Sequence, residues 1–260
     1  MEVHHHPRVE KKKFTEYLLE GLMIFLAVML GFIAENIREG ISENEKAREL
    51  AISLYKEVQS DSLKIVECLN NRTFKESQCT WFIRYVKDSN LNEVSEDFFP
   101  AFSTALIQSN GYLFEPNDGI LTQLRNSGAL RFFKSSELQS LIGKMGVSIS
   151  NIRTRNQKEY SFIEMYIRPF SIKHYDFNWY NALTHDAEIS LFDALSNGKV
   201  TVPAKGKISN LPLFNRKEAE NITSYYLLML RGTHLTFYRD YQKINHELLE
   251  GLRAAYEVKE

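Results

Sequence analysis

Apolar residues fall into two patterns along this chain. The first is continuous. The run YLLEGLMIFLAVMLGFIA, positions 17–34, holds 18 residues and a single charge, Glu20. A helix of that length covers roughly 27 Å, close to the thickness of a bilayer core, and Phe14 and Ile37 extend it. Gly21 and Gly31 are no objection, because glycine is common in membrane helices. The pattern predicts one transmembrane helix over 14–37.

The second pattern is periodic. From Ile41 to about Lys87, apolar or small residues recur near every 3.6 positions: Ala47, Leu50, Ala51, Leu54, Val58, Ile65, Leu69, Cys79, Ile83 and Val86. Glutamates and lysines occupy the other face, so the stretch reads as a long amphipathic helix. It is continuous with the membrane run and would project about 70 Å from it. Short helices follow. One is capped by Asp97 with Pro100 in its first turn, and Asn110-Gly111 stops it. Another is capped by Asn117 or Asp118 and stopped by Asn126-Ser127-Gly128. Ser136-Glu137-Leu138-Gln139 has the S-x-x-Q form of a capping box and opens a second long helix that Pro169 ends or kinks. Residues 170–215 are the least regular, with a short helix over HDAEISLFDAL and a possible extended ribbon after it. A last long helix runs from Arg216 to about Tyr256.

The expected fold is all-α: an N-terminal transmembrane helix followed by an elongated antiparallel helical bundle. Residues 1–13 form a basic, histidine-bearing cytoplasmic tail, 14–37 the span, and 38–260 a periplasmic bundle. Strict alternation of direction sends the first long helix away from the membrane and brings the second back. Residues 170–215 then return to the bilayer, with Tyr175, Phe177, Trp179 and Tyr180 as a membrane-proximal aromatic group. The other reading of these rings is a cap on the bundle core.

Charge sets the orientation. Arg8, Lys11, Lys12 and Lys13 precede the span, while Glu35, Arg38, Glu39, Glu43 and Glu45 follow it. The Lys/Arg bias places the N-terminus in the cytoplasm and the bulk of the chain outside the bacterial inner membrane. A cleaved signal peptide fits poorly. Cutting after Ala34 puts Phe32 at −3, and cutting after Gly31 puts Met29 there, where small residues are required. Within the span, Glu20, Ala27, Gly31 and Ala34 share one stripe, and A-x-x-x-G is a small-xxx-small pattern. The stripe is a candidate assembly face, for a second copy of this chain or another membrane protein. Glu20 reads otherwise as a carboxylate snorkelling to the headgroups beside Lys12 and Lys13. It also admits an alternative function, as the working carboxylate of a subunit in an ion-driven or transport complex.

The whole chain has 260 residues, net charge −1 and 43% hydrophobic residues, so the part beyond the span is large enough to fold and gives no reason to expect nucleic acid as a partner. Only 6 Pro and 12 Gly favour long helices. Cys68 and Cys79 lie eleven residues apart on one helix, roughly 16 Å between Cα atoms, and are expected as free thiols. No G-x-G-x-x-G, P-loop, H-E-x-x-H, G-x-S-x-G or C-x-x-C pattern appears, so no catalytic residue, cofactor or metal is assigned. The ligand-type residues His174, Asp176, His185, Asp186 and Asp193 match no zinc spacing. His4, His5 and His6 belong to the tail. Glu159, Glu164, His234 and His246 are expected on solvated helix faces, and Arg125, Arg131, Arg153 and Arg155 in surface pairs.

The N-terminal passage KKKFTEYLLEGLMIFLAVMLGFIAENIREGISE carries an F-L-A-V-x-x-G-F-x-A-E-N-x-R-E run from Phe25 to Glu39. In this it resembles an uncharacterised family of single-span membrane proteins from Bacteroidota. The turn NSGALRFFKSSELQSLI, positions 126–142, is similar to one between helices in related proteins. The resemblance implies an anchor and a helical outer domain and brings no activity with it. The expected function is that of a non-enzymatic envelope protein whose bundle binds a protein partner or senses a ligand.

Overall fold

The computed structural model describes residues 13–108, 111–184 and 205–256, and every regular element among them is helical. The helix expected over 185–195 lies outside the described residues, as do His4, His5, His6, His185, Asp186 and Asp193. Helix α1 runs Phe14–Asp88 without a break. The chain divides into two compact units at Leu50 and Ala51.

In the first unit α1 carries the apolar run. An 18-residue window of it is long and apolar enough to cross a membrane, and none of that window is buried by protein.

The second unit is a helical bundle. Along α1 its buried seam is Ala51, Leu54, Val58, Asp61, Ile65, Cys68, Arg72, Lys75, Cys79, Phe82 and Val86, with Tyr55 buried beside it. The steps are three and four in strict alternation, which is the 3.5-residue period of a coiled-coil seam. Direction follows from contacts across that seam. Arg253 donates to the Tyr55 hydroxyl, Asn245 to the Val58 carbonyl, Arg72 to the Leu230 carbonyl and Arg216 to the Val86 carbonyl. Helices α7 (Arg216–Gly232) and α8 (Arg239–Tyr256) therefore run antiparallel to α1. They are also antiparallel to α4 (Ser136–Phe162), because Leu138 lies against Gly251, Asn156 against Tyr238 and Phe162 against Tyr226.

Helices α1 and α4 are consequently parallel, against the expectation that the second long helix returns. The return is made by the short elements between them. Lys75 meets Thr104, Arg72 meets Tyr112, Asp61 meets Asn117 and Glu57 meets Ile120, so the chain descends beside α1 through α2 (Phe98–Phe102) and α3 (Gly119–Asn126). Helices α5 (Arg168–His174) and α6 (Phe177–Thr184) then lie at the end of the bundle where α1 finishes.

Local signals were partly displaced. Ser135, not Ser136, caps α4, accepting from Leu138 N–H at 3.2 Å, and Gln139 reaches back to the Phe133 carbonyl at 2.6 Å. Pro169 does not end its helix. The π turn Ile163–Ile167 precedes it and the helix resumes as α5. Proline lacks the N–H that would continue the α ladder, so the register change falls beside the residue that breaks it. Two further π turns, Ser103–Ile107 and Thr233–Tyr238, follow α2 and α7.

Asp118 makes no capping bond to α3. The cap comes from another helix. The Glu57 carboxylate accepts from Ile120 N–H at 3.0 Å and Leu121 N–H at 3.5 Å. A carboxylate at a helix N-terminus satisfies orphan donors and complements the helix dipole. Glu57→Ala is expected to lower the unfolding free energy by about 1 kcal/mol in urea titrations of the detergent-solubilised protein, the usual cost of a lost cap.

Candidate functional site

The span residues Glu20, Ala27, Gly31 and Ala34 are all exposed on α1. A Cβ added to Gly31 would meet nothing within 4 Å, so this stripe is open to a neighbouring helix. The aromatic group divides. Tyr175 and Trp179 are buried in the core, Tyr180 packs against it, and Phe177 is 42% exposed. Phe99 stacks on Trp179 and meets Tyr175 edge to face. The Tyr175 hydroxyl bonds to Ser103. These rings close the α1-terminal end of the bundle and present no joint aromatic surface, which follows from the parallel course of α4. Gly206 lies so close to Phe99 that a Cβ there would come within 2.5 Å of the ring.

The chemistry of the bundle is concentrated in its interior, where three of α1's seam positions are charged. Arg72 and Glu159 are each 0% exposed and form a two-pronged ion pair, with Nη2–Oε1 at 2.9 Å and Nη1–Oε2 at 3.2 Å. Arg72 also donates to the carbonyls of Tyr112 at 2.7 Å and Leu230 at 2.9 Å. Its guanidinium lies 5.1 Å from the centre of the Tyr238 ring, and its Nε has no hydrogen-bond partner. Glu159 further accepts from the Thr233 hydroxyl. The carboxylate beside it holds Arg72 firmly in its charged form. Glu159 is thus not on a solvated face. It falls in the buried series Ile152, Asn156, Glu159 and Ile163 that runs from α4 into the π turn.

Lys75, one turn along α1, is also fully buried. Its ammonium donates to the carbonyls of Thr104, at 2.9 Å, and Gln108, and it lies 4.3 Å from the centre of the Tyr112 ring. Those carbonyls close the helical stretch Phe98–Ile107, so the cation satisfies acceptors at a helix C-terminus. Burial pushes the amine down to about 8. Asp61, the third charge, accepts from Asn117 N–H at 2.8 Å, the Asn117 amide at 2.6 Å and the Tyr241 hydroxyl at 2.8 Å.

Sequence pattern named none of these three as buried. The signal was a gap in the apolar series: Asp61 fills the step between Val58 and Ile65, and Arg72 and Lys75 fill the steps between Cys68 and Cys79. A charge in phase with a buried stripe is the mark of an internal ion pair or capping group.

No family model, curated protein or solved structure matches the chain.

The other singled-out residues have structural tasks. Arg153 pairs with Glu115 and Asp118, while Arg155 donates to Thr233 and the Met229 carbonyl. His174 is buried, with Nδ1 3.2 Å from the Ser209 carbonyl, and Asp176 caps α6 through Asn178 and Trp179 N–H. Among the described residues no group of three His, Cys, Asp or Glu is placed to hold a metal. Cys68 and Cys79 are both buried and free, and burial pushes their thiols up to about 11 and about 12. A thiol so far from ionising is a poor nucleophile.

The ion pair yields a clear expectation. Glu159→Leu alone leaves Arg72 buried without its carboxylate and should cost about 3–5 kcal/mol, whereas Arg72→Met with Glu159→Leu should cost much less, as seen by urea unfolding in a double-mutant cycle. Lys75 yields another. Its folded pKa lies below the unfolded value, so between pH 8 and about 10.5 the unfolded chain binds more protons and stability rises with pH. The buried thiols act oppositely above their unfolded value of about 8.5, so the measurement is the difference between wild type and Lys75→Met. That difference should shift in favour of Lys75 across the window, by at most about 3 kcal/mol.

Proposed function

We propose that this chain is a non-enzymatic, membrane-anchored envelope protein whose helical bundle binds a protein partner or senses a ligand. One observation carries the anchor: an apolar helix window of which protein covers nothing. The core helix of a water-soluble protein passes the same length test but is packed inside its own fold. Leaving Leu22, Ile24, Phe25, Leu30 and Phe32 in water would forfeit about 1.5–3 kcal/mol for each. A bilayer removes that penalty. In this reading the basic flank lies in the cytoplasm and the bundle in the periplasm, by the Lys/Arg asymmetry about the span.

The open stripe of Ala27, Gly31 and Ala34 supports assembly within the membrane, with a second copy or another membrane protein, since small residues let helix backbones approach. The interior charges lend no support to a catalytic role. Arg72, Glu159, Lys75 and Asp61 are bonded to one another or to backbone and fully enclosed, which gives them a structural task.

The test has two parts. The protein should stay in the membrane pellet on alkaline carbonate extraction; release into the supernatant removes the anchor. In detergent, Gly31→Ile should lower the oligomeric state measured by light scattering; an unchanged mass removes the assembly face.

A further inference from the structure

A groove of about 720 Å³ runs between α4 with its π turn and α7. Phe162 forms its floor, seated at 6.2 Å on the buried Tyr226 ring. Tyr225, Tyr166 and Met165 form its walls, and they are 54, 52 and 62% exposed. Both tyrosine rings pack 5.0 Å from Phe162, which holds the groove open in a fixed shape. Leu228 and Ile172 extend the exposed apolar surface on the same two helical stretches. Tyrosine, phenylalanine, methionine and arginine are the residues enriched at interface cores, and Met adapts to irregular partners.

The charge of the groove is one-sided. Arg155 and Lys158 line it, and no carboxylate does. Neither cation makes an ion pair among the described residues. Arg155 is oriented by Thr233 and the Met229 carbonyl, and Glu164 on the neighbouring turn is taken by Arg168. An apolar cleft between two helices, with unpaired cations along one edge, is complementary to an amphipathic helix bearing acidic residues beside its apolar face.

We infer that this groove is the docking site for an acidic amphipathic helix of a partner protein, with Tyr225, Tyr166 and Phe162 receiving its apolar side chains and Lys158 and Arg155 its carboxylates. The inference rests on the reading of the bundle as a binding module and names the surface it would use.

The probe is a synthetic amphipathic peptide with Leu and Phe at i, i+3, i+4 and i+7 and glutamates at the positions flanking that apolar stripe. Its lysine-substituted counterpart is the control. Binding to the full-length protein in detergent is read by fluorescence anisotropy. The glutamate peptide should bind more tightly than the lysine peptide and lose affinity with added salt. Lys158→Glu should weaken it about tenfold and strengthen the lysine peptide, and Tyr225→Ala should weaken both. Both side chains are exposed, and circular dichroism confirms the fold of each variant. Equal binding of the two peptides, or binding indifferent to both substitutions, overturns the proposal. So does self-association lost in the same variants, which would make a second copy the occupant. Attachment to phosphatidylglycerol vesicles with the same variant dependence, and no preference for the glutamate peptide, assigns the face to lipid and overturns it as well. The two readings fail separately: crosslinks to a partner in native membranes that map away from Tyr225 would retain the binding module while removing this groove.

Discussion

Two opposite charges with no access to water, Arg72 and Glu159, constrain the rest of the bundle. Taking each ion out of solvent costs several kcal/mol, and only close, well-aligned partners offset it. The structure supplies them from four places: the Glu159 carboxylate on α4, the Tyr112 carbonyl in the descending segment, the Leu230 carbonyl on α7 and the Thr233 hydroxyl at the π turn. Each donor or acceptor is useful in only one alignment. An apolar seam repeating every seven residues tolerates a slide by one heptad, but a slide here strands both charges. The pair therefore holds α1, α4 and α7 in a single register.

Around this centre the polar interior is ordered by the same requirement. Lys75 closes the end of the Phe98–Ile107 stretch, and Asp61 and Glu57 hold the Asn117 and Ile120 backbone. Together with Arg72, these three groups project from α1 at intervals of three or four residues, apart from the step between Asp61 and Arg72. One helix thus holds the descending segment at four points, and α4 adds Asn156 to the Phe114 carbonyl and Arg153 to Asp118. Beyond Cys79 the seam turns apolar and aromatic, and Phe82, Phe98, Phe102 and Phe170 take over from charge. Such ring pairs add about 0.5–1.5 kcal/mol each beyond their burial.

Much of this architecture was legible before any coordinates. The apolar run, the three long helices and the helical class follow from periodicity and from scarce glycine and proline. The direction of α4 did not, because alternation was assumed from one long helix to the next, whereas the short helices α2 and α3 consume the return. The cap of α3 was misplaced because Glu57 lies more than sixty residues from the backbone it serves, out of reach of any local motif. Glu159 looked solvated because its neighbours Lys158 and Tyr160 are polar; its burial is readable only from its phase with Ile152 and Ile163. The groove was not legible, because periodicity groups Tyr166 with Ile163 and Ile167 on the apolar side, whereas its ring is half exposed.

The π turns within α4–α5 and α7–α8 have a geometric corollary. Each inserts one residue into the ladder, a phase slip of about 100° about the helix axis. Upstream and downstream halves of one continuous rod then present different azimuths to their surroundings. By this device the α4 rod aims Glu159 at the charged centre and, after the slip, Phe170 at the aromatic end, without a loop between them. Two cores of unlike chemistry are thereby served by a single uninterrupted backbone.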